Sequence, residues 1–374
     1  MTKRQVEMEV SSVVVVDDDT VHGHVVHRTC RPHRYVQSYR LDMDSAGKCH
    51  SKHAHIPQIP NFTAGQDTYT YTKNCIAVSD GHGTRGHHIA RALLRGTNSI
   101  LDMLETHAPK FQSRLAANES PYNIARDIRQ RVSTHIASVT DADSGATFAA
   151  MLFLTEGARR WAITVNIGDS EALLAFEDHV HLCSVAHNWD NASLYRRYVR
   201  YCTSHGLKPA RVCYNRWNDR THKYKLRDIR GEYQPIWMYS GDQVDMDNAR
   251  HVNNMFGSKM RYGTQSIRVN HDAHENWGSC VFFEGKARGQ SMATFGDMRQ
   301  RKKTNVPIDL CHVYVYELAP EDSVVAIVQT DGVSNGMTLA QCGRYAPLHA
   351  KHYLEQVGKR KDDMCVCMAR WTPM

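Results

Sequence analysis

Long apolar runs are missing from this chain of 374 residues. No stretch approaches the ~20 apolar residues that cross a bilayer. The start, Met1-Thr2-Lys3-Arg4-Gln5, lacks the apolar segment of a signal peptide. We therefore expect no membrane span and an intracellular protein, cytoplasmic or nuclear.

Paired cysteines are missing as well. The eleven cysteines are an odd number, lie scattered along the chain and include no Cys-x-x-Cys pair. This pattern argues against a disulfide framework and against a thiolate zinc site. Hydrophobic content of 41% and charged content of 23% are typical of a globular protein. We expect a folded protein of a reducing compartment.

What the chain does have is three short apolar runs that each stop at an aspartate with a glycine beside it. The runs are Cys75–Val78 before Ser79-Asp80-Gly81, Trp161–Ile167 before Gly168-Asp169, and Val324–Val328 before Gln329-Thr330-Asp331-Gly332. Each predicts a buried strand that ends in a tight turn, because β-branched residues favour strands and glycine tolerates unusual backbone angles. If these strands lie side by side, their terminal carboxylates converge.

Clustered carboxylates repel one another, and a hard cation such as Mg²⁺ or Mn²⁺ offsets that repulsion. One Asp-Gly pair alone is more typical of a plain turn. The three together, with Asp362-Asp363 before a fourth strand-like run, predict a site for divalent metal.

Seven short segments, taken in chain order, resemble the motifs of a known family. They are Gly65-Gln66-Asp67, Ser79-Asp80-Gly81-His82-Gly83, Ser144-Gly145-Ala146-Thr147, Gly168-Asp169-Ser170, Phe295-Gly296-Asp297, Thr330-Asp331-Gly332 and Asp362-Asp363-Met364. The family is that of the metal-dependent Ser/Thr protein phosphatases, the protein phosphatase 2C type (PPM). The resemblance runs from about Gly65 to Trp371 and is interrupted by a long middle stretch. It implies an α+β fold, a central sandwich of two antiparallel β-sheets flanked by α-helices.

The resemblance also implies a metal centre at one end of the sandwich, with two Mg²⁺ or Mn²⁺ ions and, in some members, a third. The implied metal-site residues are Asp67, Asp80, Gly81, Asp169, Asp331 and Asp362. Asp80 matches the ligand that bridges both ions, and the Gly81 carbonyl lies beside it. Asp331 and Asp362 match the ligands that complete one ion's shell.

Two further carboxylates have secondary roles in this comparison. Asp67 would hold waters bound to the metal, and Asp169 aligns with a residue of the third site. The implied reaction is hydrolysis of a phosphorylated protein by a water that two metal ions activate. His82 resembles the general acid that protonates the leaving oxygen; the alternative is a histidine that merely caps a turn.

Several positions depart from the family. Phe62 stands where an arginine often holds the substrate phosphate, so phosphate capture falls to another residue, and Arg85 is one candidate. Gln66 replaces a frequent glutamate, and Glu171 replaces the usual arginine after Gly168-Asp169-Ser170. In addition, Asn335 replaces an aspartate and Asp363 an asparagine.

We divide the chain into a histidine-rich N-terminal extension, 1–61, and a catalytic domain, 62–374, in which 188–288 is an enlarged flap insertion. The extension contains His22, His24, His27, His33, His50, His53 and His55. A zinc site there and solvated histidines both remain open. Helices are predicted over Ile89–Leu104, over Ile124–Ile136, and between Met337 and Val357.

The insertion contains most of the positive charge. Between Tyr195 and Arg230 there are eleven Lys or Arg against two acids, whereas the whole chain has a net charge of +7. Six tyrosines and tryptophans lie among these cations. The segment 195–230 fits an acidic or phosphorylated protein or a nucleic acid, and equally a helix with one apolar and one solvated basic face.

Two other functions are therefore open beside the phosphatase. One is a catalytically impaired phosphatase-like scaffold or binding protein that acts through the basic aromatic insertion. The other is a nucleic-acid-binding module. Substitution of Asp80 distinguishes them, because only hydrolysis requires its carboxylate.

Overall fold

The computed structural model describes residues 38–189, 191–218, 291–307, 310–357 and 362–373. It also describes short strands at 14–15, 22–23, 223–225, 236–237, 239–240, 243–244, 276–283 and 286–288. None of the helices in these ranges has the length and apolar character needed to span a bilayer.

The strands are numbered along the chain. They are β1 Val14–Val15, β2 His22–Gly23, β3 Tyr39–Lys48, β4 Thr63–Ala64, β5 Asp67–Tyr71, β6 Cys75–Ser79, β7 Gly81–His82, β8 Gly145–Ala146, β9 Phe148–Glu156, β10 Arg159–Ile167, β11 Glu171–Ala175, β12 Val180–Leu182, β13 Arg211–Asn218, β14 Lys223–Lys225, β15 Ile236–Trp237, β16 Tyr239–Ser240, β17 Gln243–Val244, β18 Asn276–Phe283, β19 Lys286–Arg288, β20 Phe295–Gly296, β21 His312–Leu318, β22 Val324–Gln329 and β23 Met364–Pro373.

The helices are numbered in the same way. They are α1 Gly86–Leu94, α2 Ile100–Ala116, α3 Pro121–Ser138, α4 Ala192–Ser204, α5 Met298–Thr304, α6 Asp331–Ser334, α7 Leu339–Tyr345 and α8 Ala350–Glu355, with a short 3-10 helix at Ser51–His53.

Two antiparallel sheets form the centre of the fold. The first has the order β2-β1-β21-β10-β9-β6-β5-β4, and the second has the order β12-β11-β22-β23-β3. In the second sheet β3 pairs with β23 along its whole length, from Tyr39 opposite Pro373 to Lys48 opposite Met364. The division at 61/62 stays a prediction, and β3, on its N-terminal side, is an edge strand of the sandwich.

Three clusters of buried apolar side chains separate four layers. One includes Phe111 and lies between α1–α3 and the first sheet. Another, with Met151 and Val328, lies between the two sheets, and a third, with Ile327 and Tyr353, lies between the second sheet and α6–α8. Ile327 and its neighbour Val328 belong to different clusters, as the period of two in a strand requires. The predicted sandwich flanked by helices is confirmed.

Two predicted helices are each divided. The apolar spacing over Ile89–Leu104 belongs to α1 and α2, because Arg95 is extended, Gly96 has φ +109° and Ser99 starts a new helix by accepting a hydrogen bond from Asp102 N. The range from Met337 to Val357 contains α7 and α8. Pro347 lies between them, and proline both lacks an N–H and disfavours helix before it.

Only part of the predicted insertion, 188–288, is described. Its helix α4 packs on the core through Leu194, Tyr195, Tyr198 and Val199, all buried. The predicted helix with one apolar face is therefore present here, and these two tyrosines are not free to stack on a base. The cations at Arg220, Arg227 and Arg230, and the histidines His24, His27 and His33 of the extension, lie outside the described residues.

A pair of histidines is buried within the sandwich. His187 Nδ1 accepts a hydrogen bond from Gly168 N at 2.7 Å, so its Nε2 donates to His312 Nδ1 at 2.6 Å. Burial lowers the pKa of His187 to about 3, and burial together with the neighbouring His187 lowers that of His312 well below its usual value. Both imidazoles are therefore neutral in the folded chain.

This pair predicts acid sensitivity. In the unfolded chain each imidazole gains a proton near pH 6.5, so the stability that it contributes is present above that pH and falls below it, by up to about 1.4 kcal/mol per pH unit for each histidine. Urea unfolding at pH 7 and pH 5 should show that loss, and His312→Asn, which keeps an acceptor at that place, should reduce it. Equal losses in His312→Asn, wild type and the exposed control His352→Asn would contradict this account.

Candidate functional site

The register of the two sheets brings the predicted aspartates together. Asp67 begins β5, and its neighbour Thr68 pairs with Ser79, the last residue before Asp80. In the second sheet Gln329 pairs with both Glu171 and Val366. The end of β22, the start of β11 and the start of β23 therefore lie at the same end of the second sheet. The carboxylates that flank these strands share one end of the sandwich.

Asp80 lies at the centre of this group. Its backbone is fixed by Thr147, whose N–H donates to the Asp80 carbonyl at 2.8 Å and whose hydroxyl accepts from Asp80 N at 3.2 Å. Its carboxylate interacts electrostatically with those of Asp67, Asp331 and Asp362. The next residue, Gly81, pairs with Ala146 in a small separate sheet, β20-β8-β7.

Asp331 and Asp362 flank the same end of one strand pair, because Asp331 follows β22 and Asp362 precedes β23. Thr330, just before Asp331, donates its N–H to the Cys365 carbonyl, and its hydroxyl accepts from Cys365 N at 3.0 Å. These bonds hold the start of α6 against the start of β23. Asp331 Oδ2 also accepts from Asn335 Nδ2 at 3.3 Å, so the residue that replaces a family aspartate supports this carboxylate.

Asp169 belongs to the same electrostatic group. It follows Gly168 in the turn between β10 and β11, and its charge acts on Asp331 and on His82. All six predicted metal-site residues therefore lie at one end of the sandwich, as the sequence led us to expect. Their roles as ligands remain predictions.

Crowding of like charges dominates this end. Burial, together with the charges of Asp67 and Asp331, raises the pKa of Asp80 well above its usual range. Burial and the charges of Asp363 and Asp362 do the same to the pKa of Asp67. Burial and the charge of Asp169 raise the pKa of Asp331 to about 7. Without a cation, these carboxylates cannot all be ionised at low cost.

The donor set fits a divalent cation. Oδ2 of Asp67 is buried and has no hydrogen-bond partner, which costs free energy unless a cation or a bound water satisfies it. Carboxylate oxygens are the ligands that Mg²⁺ and Mn²⁺ prefer. These residues are therefore suited to hold such an ion.

A more compact group of potential ligands lies next to this cluster. Among the described residues, His53, Asp362 and Asp363 have ligand atoms within 4.8 Å of one another. However, Asp363 is already occupied: it accepts from His50 N at 2.7 Å, from Gln66 N at 2.8 Å and pairs with His53 Nδ1 at 2.5 Å. Asp363 therefore works as a buried acceptor that ties three segments together.

His82 is part of an imidazole–carboxylate pair. Its Nε2 lies 2.6 Å from Asp297 Oδ2, which also accepts from the Thr294 hydroxyl at 2.6 Å. Burial favours the neutral imidazole, but the charge of Asp297, its hydrogen bond and the charges of Asp169 and Asp331 together raise the pKa of His82. Gly145 lies against both side chains, and a Cβ there would overlap them.

The sequence did not assign Asp297 a role. It was recognised only as part of the Phe295-Gly296-Asp297 segment, and its partner His82 is 215 positions away. The backbone of Asp297 is left-handed, with φ +50°, an uncommon conformation for a residue other than glycine. Two contacts hold it there: Asp297 N donates to the Ser144 carbonyl, and Thr294 holds its side chain.

Three other residues singled out in the sequence, Phe62, Glu171 and Arg85, have the following contacts. Phe62 is buried, and the Arg95 guanidinium lies 5.7 Å from its ring centroid. Glu171 is buried in the second sheet, where Gln329 Nε2 donates to it at 3.2 Å. Arg85 is exposed and lies 3.5 Å from Asp141. None of these three has a described contact with the carboxylate cluster.

Comparison with known proteins gives a likeness of fold. No protein-family model and no curated protein matches the chain. Among solved structures, the chain is similar to the serine-threonine phosphatase 2C of Toxoplasma gondii, with 12% identity, a TM-score of 0.46, and coverage of 90% of this chain and 97% of that one.

Two further solved structures give similar values. The PPM Ser-Thr phosphatase MsPP of Mycobacterium smegmatis has 13% identity and a TM-score of 0.41, covering 88% of this chain and 97% of that one. The catalytic domain of the phosphatase PstP, solved with two manganese ions, has 11% identity and a TM-score of 0.37, covering 90% and 100%. Over most of its length the chain is similar in fold to these PPM Ser/Thr phosphatases.

Proposed function

We propose that this chain is an intracellular, metal-dependent phosphatase that hydrolyses phosphoserine and phosphothreonine in proteins. One observation carries the proposal: Asp67, Asp80, Asp331 and Asp362 come from separate segments of both sheets and meet at one end, beside His82. A fold does not need such repulsion for stability, so the cluster is best explained by a function.

The residues of the cluster would divide the work of holding two ions, Mg²⁺ or Mn²⁺. Asp80, at the centre, would contact both, Asp331 and Asp362 would complete one shell, and Asp67 would hold bound waters. Asp169 would belong to a third site. When bound, such ions neutralise phosphate charge and make a water molecule acidic enough to attack phosphorus near neutral pH.

His82 would donate the proton to the leaving serine or threonine oxygen. Its side chain is 41% exposed, so it can reach a substrate while its Nε2 rests on Asp297. The charge of Asp297 and its hydrogen bond raise the pKa of His82, which favours the protonated imidazole that a general acid requires. Asp297 would thus be a positioning residue for His82.

A protein substrate is supported by a cleft that begins two residues after His82 in the chain. The cleft has a volume of about 550 Å³ and begins at Thr84 and Arg85, directly after the Asp80–Gly83 loop. Its opposite wall is formed by residues 139–144, with Asp141 and Asp143. Mixed charge along such a cleft suits a polypeptide beside the phosphorylated residue.

The direct test is hydrolysis of p-nitrophenyl phosphate and of a phosphothreonine peptide with Mn²⁺, with Mg²⁺ and with chelator. We expect metal-dependent turnover that Asp80→Asn or Asp331→Asn lowers by roughly 100-fold or more. The matched control is Asp178→Asn, an exposed aspartate paired with His179. A folded, metal-binding wild type without turnover would refute the proposal and favour a phosphatase-like binding protein.

The carboxylate cluster also predicts that Asp80→Asn stabilises the metal-free protein but reduces the stability gained when metal binds. In chelator, Asp80→Asn should raise the free energy of unfolding by about 1 kcal/mol, or Tm by on the order of 2 °C, because it removes one of several mutually repelling charges. In millimolar Mn²⁺ the wild type should gain stability and the variant should gain less. Thermal unfolding monitored by circular dichroism measures both effects; destabilisation of the variant in chelator would contradict the repulsion.

The His82–Asp297 pair predicts an effect that depends on the leaving group. Asp297→Asn should lower kcat on a phosphothreonine peptide by roughly ten- to a hundredfold with KM within about twofold, because the imidazole loses its orientation. The loss on p-nitrophenyl phosphate should be smaller, since its leaving group is stable without a proton. Equal losses on both substrates would indicate that Asp297 has only a structural role.

A further inference from the structure

The segment before the first motif is fixed at the carboxylate cluster. His50 N donates to Asp363 Oδ1, and His53 Nδ1 pairs with Asp363 Oδ2, so both ends of the Ser51–His53 helix are held by one buried carboxylate. The His50 imidazole caps this helix by accepting from Lys52 N at 3.2 Å. The backbone of Lys52 is therefore set in place by its neighbours.

From this position Lys52 extends its side chain to the cluster. Its Nζ lies 3.0 Å from Asp362 Oδ1, and its charge also interacts with Asp363 and with Asp80. The side chain remains 47% exposed, so the ammonium faces both the carboxylates and solvent. A partly exposed ion pair of this kind contributes little to the free energy of folding. The ammonium can therefore turn to another anion at low cost in free energy.

The arginines near this end of the sandwich have other contacts. Arg91 donates to the Pro57 carbonyl, and Arg95 lies over the Phe62 ring. Arg85, the candidate from the sequence, pairs with Asp141. The structure records no contact of these three with Asp362 or Asp80, whereas Lys52 interacts with both.

A phosphoryl dianion that approaches the five aspartates of the predicted metal site is repelled unless cations compensate their negative charge. We propose that Lys52 binds a phosphoryl oxygen of the substrate and of the phosphate product, in place of an arginine at position 62. This inference rests on the proposed function. An ammonium binds phosphate as a compact point charge with three rotatable donors, so Lys52 needs no planar, bidentate geometry.

The test measures phosphate binding apart from turnover. Inorganic phosphate is titrated calorimetrically into the full chain loaded with Mn²⁺, for wild type, Lys52→Met and the control Lys48→Met, an exposed lysine at the end of β3. We expect Lys52→Met to weaken phosphate binding roughly tenfold or more, about 1.4 kcal/mol. Lys48→Met should equal wild type, and Lys52→Arg, which keeps the charge, should recover most of the affinity.

A parallel titration with Mn²⁺ separates phosphate binding from support of the metal site. Lys52→Met should bind Mn²⁺ as tightly as wild type or more tightly, because a competing cation next to Asp362 is gone. Weaker Mn²⁺ binding in Lys52→Met, or phosphate affinity within twofold of wild type, would overturn the proposal, as would a wild type that binds no phosphate. If the wild type binds phosphate through Lys52 but shows no turnover, the Lys52 site is supported and only the proposed phosphatase activity is refuted.

Discussion

Repulsion among carboxylates is the constraint on which this end of the molecule depends. Burial and mutual charge raise the pKa of Asp67, Asp80 and Asp331, so the fold must hold these groups closer than they would settle by themselves. The means are backbone hydrogen bonds that do not involve the carboxylates. Thr147 fixes the Asp80 backbone, and Thr330 with Cys365 joins β22 to β23.

The layered core explains why the fold tolerates this repulsion among carboxylates. The carboxylates sit at strand ends, whereas the stabilising free energy comes from three apolar clusters within the layers. Substitution of a cluster carboxylate should therefore leave the core intact. Asp363 adds a connection of another kind, because it joins the N-terminal segment, the Gly65-Gln66 turn and β23 through hydrogen bonds to one buried side chain.

The sequence predicted the strands and the carboxylates for one physical reason. Buried β-branched runs such as Val324–Val328 and the Asp-Gly turns after them are local signals. In the first sheet β6 and β10 both pair antiparallel with β9, so they end at the same end of the sheet. The sequence did not predict the pairing of His82 with Asp297 or the approach of Lys52 to Asp362, because these contacts join residues 215 and 310 positions apart. Lys52 lies in no recognisable motif. Its approach to Asp362 follows only from the docking of the Ser51–His53 helix on Asp363.

The central claim is that the Asp80 cluster is a metal centre. Crystals of the full chain soaked in Mn²⁺ would locate the ions by anomalous scattering. The account predicts two peaks that share the Asp80 carboxylate, with Asp331 and Asp362 within coordination distance of one of them. Peaks confined to His53 and Asp363, or the absence of any peak at Asp80, would contradict it.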